Sequence, residues 1–145
     1  MFSYTGKLSK LPRGFYGLPI RADFDPDDTR YIKLFSDLIY VDKNHIEHYV
    51  TSGYKTDGKT VPNIFWSIAG YPLAPATLPA AIIHDKLCDI NNRFLPSSRV
   101  HEIFDEALQD LKKVPRWQRT LLVWAVKLFG PRFEATTMDN DNTAK

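Results

Sequence analysis

The sequence predicts an α+β fold, in which a small antiparallel β-sheet packs with three to four α-helices. Residues 31–50 alternate between apolar and polar side chains, which is typical of strands, whereas the apolar residues after residue 60 recur at helical spacing. The chain has 145 residues, of which 43% are hydrophobic and 13% aromatic, enough for one core. We therefore expect a single domain over residues 1–133 and a flexible polar tail over residues 134–145.

A β-hairpin is predicted around residues 31–50. YIKLF and DLIYV are rich in β-branched and aromatic residues, DKN follows as a turn, and HIEHYV has alternating faces. In the last stretch His48 shares a face with Ile46 and Val50, while His45 lies on the opposite face. Two histidines on opposite faces cannot bind one ion together, and we expect both at the surface or at a sheet edge.

Four helices are predicted after the hairpin. They cover approximately residues 62–69, 78–91, 98–112 and 115–129. Thr77 is placed to cap the second helix, with Pro79 in its first turn, where the missing N–H group costs nothing. Ser98 is placed to cap the third helix.

The third and fourth helices differ in their apolar patterns. The third carries one continuous stripe, formed by Val100, Ile103, Phe104, Ala107, Leu108 and Leu111. The fourth ends at Gly130-Pro131, and its stretch LLVWAVKLF is apolar nearly all round. This predicts the central packing helix of the core, with a membrane-surface or partner-binding role as the alternative.

Composition argues against several classes of protein. The net charge of +2 gives no strong nucleic-acid signal, and Lys112, Lys113, Arg116 and Arg119 are interpreted as a solvated helix end. No apolar stretch is long enough for a transmembrane span, and the N-terminus lacks the apolar region of a signal peptide. No P-loop, zinc-cysteine cluster or serine nucleophile elbow is present.

The stretch AAIIHDKLCD at residues 80–89 holds the candidate site. Helical geometry places His84 within the apolar face, where its helix neighbours offer almost no hydrogen-bond partner. A partner must come from elsewhere in the fold, and the candidates are Asp57, His101 and Asp105. The expected facing of the third helix favours Asp57 and His101 over Asp105, and we expect Asp57 to be the partner, with His101 nearby.

Two interpretations of His84 remain open at this point. It is either a hydrogen-bonded histidine that ties the core together, or a base or metal ligand. In the second case His84, Asp85 and Asp57 are the candidate catalytic and metal-binding residues, and His101 and Asp105 are candidate orienting residues. Cys88, the single cysteine, is interpreted as a small buried hydrophobic residue, although its position allows a pairing with His84.

Several motifs in order resemble a family of small proteins of unknown function from tailed phages and prophages. They are TDGKTVP at 56–62, FW at 65–66, LPAAIIHD at 78–85, SSRVHEIFDEAL at 97–108 and AVKLFG at 125–130. The chain departs from the family pattern at Thr60, usually Ser, at Cys88, usually aromatic, and at His101, usually Asp. The resemblance implies a phage or prophage origin, with the protein in the host cytoplasm or the virion.

The His-Asp helix is also similar to the active-site helix of phospholipases A2. That similarity implies His84 as the general base and Asp85 as a calcium ligand, with the TDG loop beside the ion and His101 in the orienting position. The metal-dependent phosphohydrolases that share a His-Asp doublet fit less well, because their further ligands lie on helices and the remaining candidates here lie on predicted strands.

Two functional hypotheses follow. The first is a phage or prophage accessory protein that acts by binding an unidentified host or virion protein, with a buried His-Asp cluster. The second is a hydrolase assisted by a divalent metal ion, calcium or zinc, with His84 as base and Asp85 as metal ligand.

Overall fold

The computed structural model describes residues 7–56, 76–89 and 94–135, and within them six strands precede three helices. This confirms the α+β class. The strands are β1 (Gly14–Tyr16), β2 (Ala22–Asp25), β3 (Asp28–Leu34), β4 (Leu38–Val41), β5 (Glu47–Val50) and β6 (Lys55–Thr56). The helices are α1 (Leu78–Cys88), α2 (Ser97–Leu111) and α3 (Arg116–Phe129). The predicted helix over 62–69 lies outside the described residues, as does the predicted tail from residue 136 onward.

The strands form two antiparallel sheets of three strands, in the orders β1-β4-β5 and β2-β3-β6. The predicted pairing of DLIYV with HIEHYV is confirmed, since Val41 lies opposite Glu47 in β4 and β5. YIKLF belongs to the other sheet, so the expectation of a single sheet was incomplete. The reason is a tight turn between Asp25 and Asp28, which pairs β3 with the strand directly before it at small cost in loop entropy.

A glycine directly after β1 allows the backbone there to lie close to the backbone directly before β4. Gly17 has a φ of +100°, and a Cβ atom there would lie 2.4 Å from the carbonyl oxygen of Asp37. Only glycine fits this approach without displacing backbone.

Helix α2 lies between α1 and α3 and also contacts β1. Eight of the 11 residues of α1 are buried, and only four of the 14 residues of α3 are. The expectation that the last helix is the central packing helix was therefore wrong. Its apolar residues surround the helix axis, but among the described elements the main contact of α3 is with α2, and several of its apolar side chains are exposed.

The helix ends differ in detail from the prediction. Thr77 is at the N-cap position of α1 and Pro79 lies in the first turn as expected, but the Thr77 side chain makes no capping hydrogen bond. Helix α1 ends at Cys88 rather than near residue 91. Helix α2 begins at Ser97, so Ser98 is not its cap; the Ser97 hydroxyl instead accepts a hydrogen bond from the backbone N–H of Phe133 at 3.1 Å.

Among the residues that the structure describes, none of the helices combines the length and the apolar character needed to cross a bilayer.

Candidate functional site

His84 points from α1 into the core, as the helical pattern predicts. Its side chain is 1% exposed, and its Nε2 atom lies 3.0 Å from Nδ1 of His101 on α2. The ring of Phe104 lies 4.8 Å from the His84 ring and closes the same pocket. Of the two partners favoured by the sequence, His101 is confirmed as a contact, and Asp57 lies outside the described residues.

The protons of this histidine pair are placed by a backbone carbonyl. His101 Nε2 lies 3.2 Å from the carbonyl oxygen of Pro131, which can only accept, so this nitrogen carries the proton. His101 Nδ1 is then an acceptor, and the Nε2–H of His84 donates to it. The pair thereby links α1, α2 and the segment after α3 in one row of hydrogen bonds.

Burial keeps the pair neutral. Desolvation lowers the pKa of His84 to about 3, and the neighbouring His101 adds to the effect. Desolvation also lowers the pKa of His101, although the hydrogen bond to Pro131 works against it and Lys127 and Arg132 support it. At neutral pH both rings are therefore uncharged, and the pair serves as a hydrogen-bonded tie.

Cys88 lies one turn after His84, buried as expected. Its Sγ atom is 3.9 Å from His84 Nδ1 and 3.7 Å from His84 Nε2. A reactive thiolate needs a positive charge nearby, and a neutral imidazole supplies none. At these distances the thiol forms at most a weak hydrogen bond with the His84 ring, which agrees with the interpretation of Cys88 as a small buried hydrophobic residue.

Asp85 faces a different part of the molecule from His84. Its Oδ2 atom accepts a hydrogen bond of 2.9 Å from the Tyr54 hydroxyl, and Lys86 Nζ lies 5.2 Å from the centre of the Tyr54 ring. Desolvation, together with the Asp85 carboxylate, raises the pKa of Tyr54. Asp85 thus attaches α1 to the short segment before β6.

The remaining candidate residues are placed as follows. Asp105 on α2 contacts Arg119 Nε at 3.4 Å and Gln109 Nε2 at 3.3 Å, toward α3. Among residues 7–56, 76–89 and 94–135, no group of three His, Cys, Asp or Glu side chains is arranged to hold a metal ion. Within these residues the structure therefore brings His84 together with His101 and directs Asp85 and Asp105 elsewhere.

A second buried polar cluster was missed at the level of sequence. His48 was expected at the surface or an edge, but its side chain is 1% exposed, and its Nε2 lies 2.7 Å from Asp42 Oδ2. Asp42 also accepts a hydrogen bond of 3.1 Å from Arg99 Nη2 on α2. The sequence did contain a signal, because His48 shares its strand face with Ile46 and Val50 and that face had to pack inward.

Arg99 connects this cluster to a second buried carboxylate. Its Nη1 atom lies 2.6 Å from Glu106 Oε2 and 3.1 Å from the exposed Glu102. Desolvation raises the pKa of Asp42, but hydrogen bonds, that from His48 being the largest, outweigh it and hold the pKa below its ordinary value. We refer to Asp42, His48, Arg99 and Glu106 as the Arg99 network, which ties the β4-β5 hairpin to α2.

The third feature is an apolar surface on α3. Trp117 is 59% exposed, Trp124 53% and Leu128 42%. At about 100° per residue these three side chains fall within about 40° of one another around the helix axis. We call them the α3 face; Phe129, 60% exposed, lies at its C-terminal end. Large apolar side chains exposed along one side of a helix are typical of a binding surface.

Comparison with known proteins gives a family match. Residues 32–126 match the family model described as "Protein of unknown function (DUF1353)". The uncharacterized protein y4jT of Sinorhizobium fredii (strain NBRC 101917 / NGR234) is 33% identical over 134 residues, which are 92% of this chain and 37% of that protein.

The uncharacterized protein y4iH of the same organism is 33% identical over 109 residues, which are 74% of this chain and 44% of that protein. The chain therefore spans roughly two fifths of the length of these curated relatives. No solved structure matches.

Proposed function

The chain belongs to the protein family described as "Protein of unknown function (DUF1353)", and within it we propose that this member acts by binding, through the α3 face, and not by chemistry at His84. The observation that carries the proposal is the exposure of two tryptophans and a leucine on one side of α3. Large aromatic side chains dominate binding energy, and folding normally buries them. From the sequence resemblance we also propose that it is a phage or prophage accessory protein, working on a host or virion component.

The properties of the histidine pair also favour binding over catalysis. A general base must reach its substrate, and it works best with a pKa near the operating pH. His84 is buried, and its pKa of about 3 makes it a weak proton acceptor at neutral pH. Its hydrogen bonds instead serve to hold α1 against α2.

The binding surface can be tested without knowledge of the partner. We expect the native protein to bind the dye bis-ANS, and the double variant Trp117→Ala with Leu128→Ala to retain less than about half of that binding. The free energy of unfolding should change by less than about 0.5 kcal/mol, because exposed side chains contribute little to folding. Fluorescence titration and urea denaturation measure the two quantities.

The control is a second pair of exposed aromatic residues. Phe24 lies in β2, Phe35 directly follows β3, and both are comparably exposed, so Phe24→Ala with Phe35→Ala should keep the dye binding. A marked loss of stability in the α3 variant would show that the α3 face packs within the fold, and unchanged dye binding would show that it is no binding surface. Either result contradicts the proposal.

A second candidate is metal-assisted hydrolysis, and one contact favours it. His101 Nδ1 holds His84 Nε2 at 3.0 Å, as an orienting group on a neighbouring helix would hold a general base. In that case His84, Asp85 and Asp57 would bind a divalent ion, calcium or zinc, that polarises the bond to be cleaved.

Thermal melts decide this second candidate. After treatment with chelator, calcium, zinc, manganese or magnesium is added in turn to wild type, to Asp85→Asn and to the surface control Asp23→Asn. If the candidate holds, one ion raises the Tm of wild type and of the control but not of Asp85→Asn. A change in Tm on addition of each ion that is the same for all three proteins would exclude a metal site at Asp85.

A further inference from the structure

Positive charge is concentrated around α3. The segment from residue 112 to residue 132 contains six basic residues and no aspartate or glutamate. They are Lys112, Lys113, Arg116, Arg119, Lys127 and Arg132. The whole chain has 19 basic and 17 acidic residues, so the remainder has 13 basic against 17 acidic residues and a net charge of −4. The small overall charge thus conceals a basic region and an acidic remainder.

Most of this positive charge is available to a partner. Arg119 is half-buried and paired with Asp105 at 3.4 Å. The other five bases are exposed, and within the described part of the chain none of them lies within ion-pair distance of a carboxylate. A basic surface of this kind attracts an anionic partner.

The basic residues border the α3 face in a regular way. Arg116 and Lys127 project about 80–100° from Trp117 around the helix axis, both on the same side. Lys112 and Lys113 precede α3, and Arg132 follows it. The α3 face therefore has cations along one flank and at both ends, a pattern typical of helices that lie in the interface of a membrane.

We propose that α3 lies flat on an anionic lipid bilayer, with the α3 face in the interfacial region and the flanking bases at the lipid head groups. This inference rests on the proposed binding function and names its partner. Tryptophan favours the bilayer interface, because its ring is apolar and its N–H group is polar. Lysine and arginine extend their apolar stems beside it and keep their charges at the head groups.

A protein partner fits these observations less well. Lysine is depleted in protein–protein interfaces, whereas three of the five exposed bases here are lysines. Single-stranded nucleic acid also combines cations with stacked aromatic rings, but it uses grooves that follow a backbone. The α3 face is instead a straight strip along one helix.

The experiment is co-sedimentation of the purified chain with vesicles. Vesicles of pure phosphatidylcholine are compared with vesicles that contain about one third phosphatidylglycerol, at low salt, where surface charges attract most strongly. We expect binding to the anionic vesicles only, a decrease in binding as salt is raised, and a blue shift of tryptophan fluorescence in the bound state.

Two variants separate the apolar from the electrostatic contribution. Trp117→Ala with Leu128→Ala should weaken vesicle binding at least about tenfold, because two apolar side chains no longer leave water. Arg116→Glu with Lys127→Glu should also weaken it and reduce its dependence on salt, since Lys112, Lys113 and Arg132 remain. The control Phe24→Ala with Phe35→Ala should bind as wild type does. The Tm of each variant verifies that it is folded.

The dye and vesicle assays together separate the lipid assignment from the proposed binding function. Dye binding at the α3 face without vesicle binding would overturn the lipid assignment and leave the binding surface in place. If neither the dye nor the vesicles bind at the α3 face, the proposed function is overturned as well. Binding to single-stranded DNA with none to anionic vesicles, or equal binding to neutral and anionic vesicles, would also overturn the inference.

Discussion

Replacement of Arg99 by alanine is expected to lower the free energy of unfolding by about 3–5 kcal/mol, because it breaks a buried ion-pair network by removing one partner. Asp42 and Glu106 would remain buried, with only 2% and 7% of their side chains exposed, and each would lose a charged hydrogen bond. Since domains of this size are stable by about 5–15 kcal/mol, the effect should be large in urea denaturation at pH 7.

The third partner of Arg99 supplies the matched control. Glu102 contacts the same guanidinium group at 3.1 Å, but its side chain is 55% exposed. Glu102→Gln should therefore cost less than about 1 kcal/mol. Arg99→Lys keeps the charge but loses the two-pronged geometry, so it should fall between the two. Equal effects of Arg99→Ala and Glu102→Gln would mean that the network does not stabilise the fold.

Replacement of His84 by alanine is expected to lower the free energy of unfolding at pH 7 by roughly 1–3 kcal/mol, because it leaves His101 Nδ1 buried without its donor. The cavity left by the imidazole ring adds to this loss. The control is His45→Asn, which alters an exposed histidine at a positive φ of 62°, a conformation that asparagine tolerates. This control should stay close to wild type.

The dependence on pH identifies the cause of the His84 effect. The folded pKa of about 3 lies below the unfolded value of 6.5, so between these pH values the unfolded chain binds a proton at His84 that the folded chain does not. The contribution of His84 to stability is therefore complete above pH 6.5 and is lost toward pH 3, by about 1.4 kcal/mol per pH unit. The lowered pKa of His101 acts in the same direction.

Wild type and His84→Ala should accordingly converge as the pH is lowered. The gap in unfolding free energy, measured by urea denaturation between pH 7.5 and 4.5, should narrow by that slope below pH 6.5, by roughly 2.7 kcal/mol in all, so that it closes or changes sign near pH 4.5. Parallel curves would show that His84 keeps an ordinary pKa and is accessible to water in the folded protein. That result would also restore His84 as a candidate base.

The candidate site was predictable in part. The inward orientation of His84 follows from the helical pattern of its own segment, and the stripe on the next helix placed His101 among the candidate partners, beside the preferred Asp57. The burial of His48 was predictable, because His48 shares its strand face with apolar residues. The expectation of a position at the surface or an edge followed instead from the polar character of its side chain. Its carboxylate partner, Asp42, lies six residues earlier in the chain, in a segment that the sequence predicted as a turn without indicating any buried contact.

The exposure of α3 shows a different limit. Its apolar composition was correctly identified, but composition does not say how many sides of a helix other elements cover. In the described structure α3 packs against α2, and its outer side remains at the surface. This exposure favours the alternative interpretation of the last helix, as a membrane-surface or partner-binding helix.

By itself the sequence determined the α+β class, the β4-β5 hairpin, the three described helices to within a few residues and the inward orientation of His84. These features depend on residues that are neighbours along the chain, where backbone preference and apolar periodicity act. The tertiary structure decided the features that join distant segments. Arg99 meets Asp42 across 57 residues, Pro131 places the proton of His101 across 30, and β3 pairs outside the predicted sheet. Such contacts depend on which surfaces meet when the elements pack, and periodicity within one element does not contain that information.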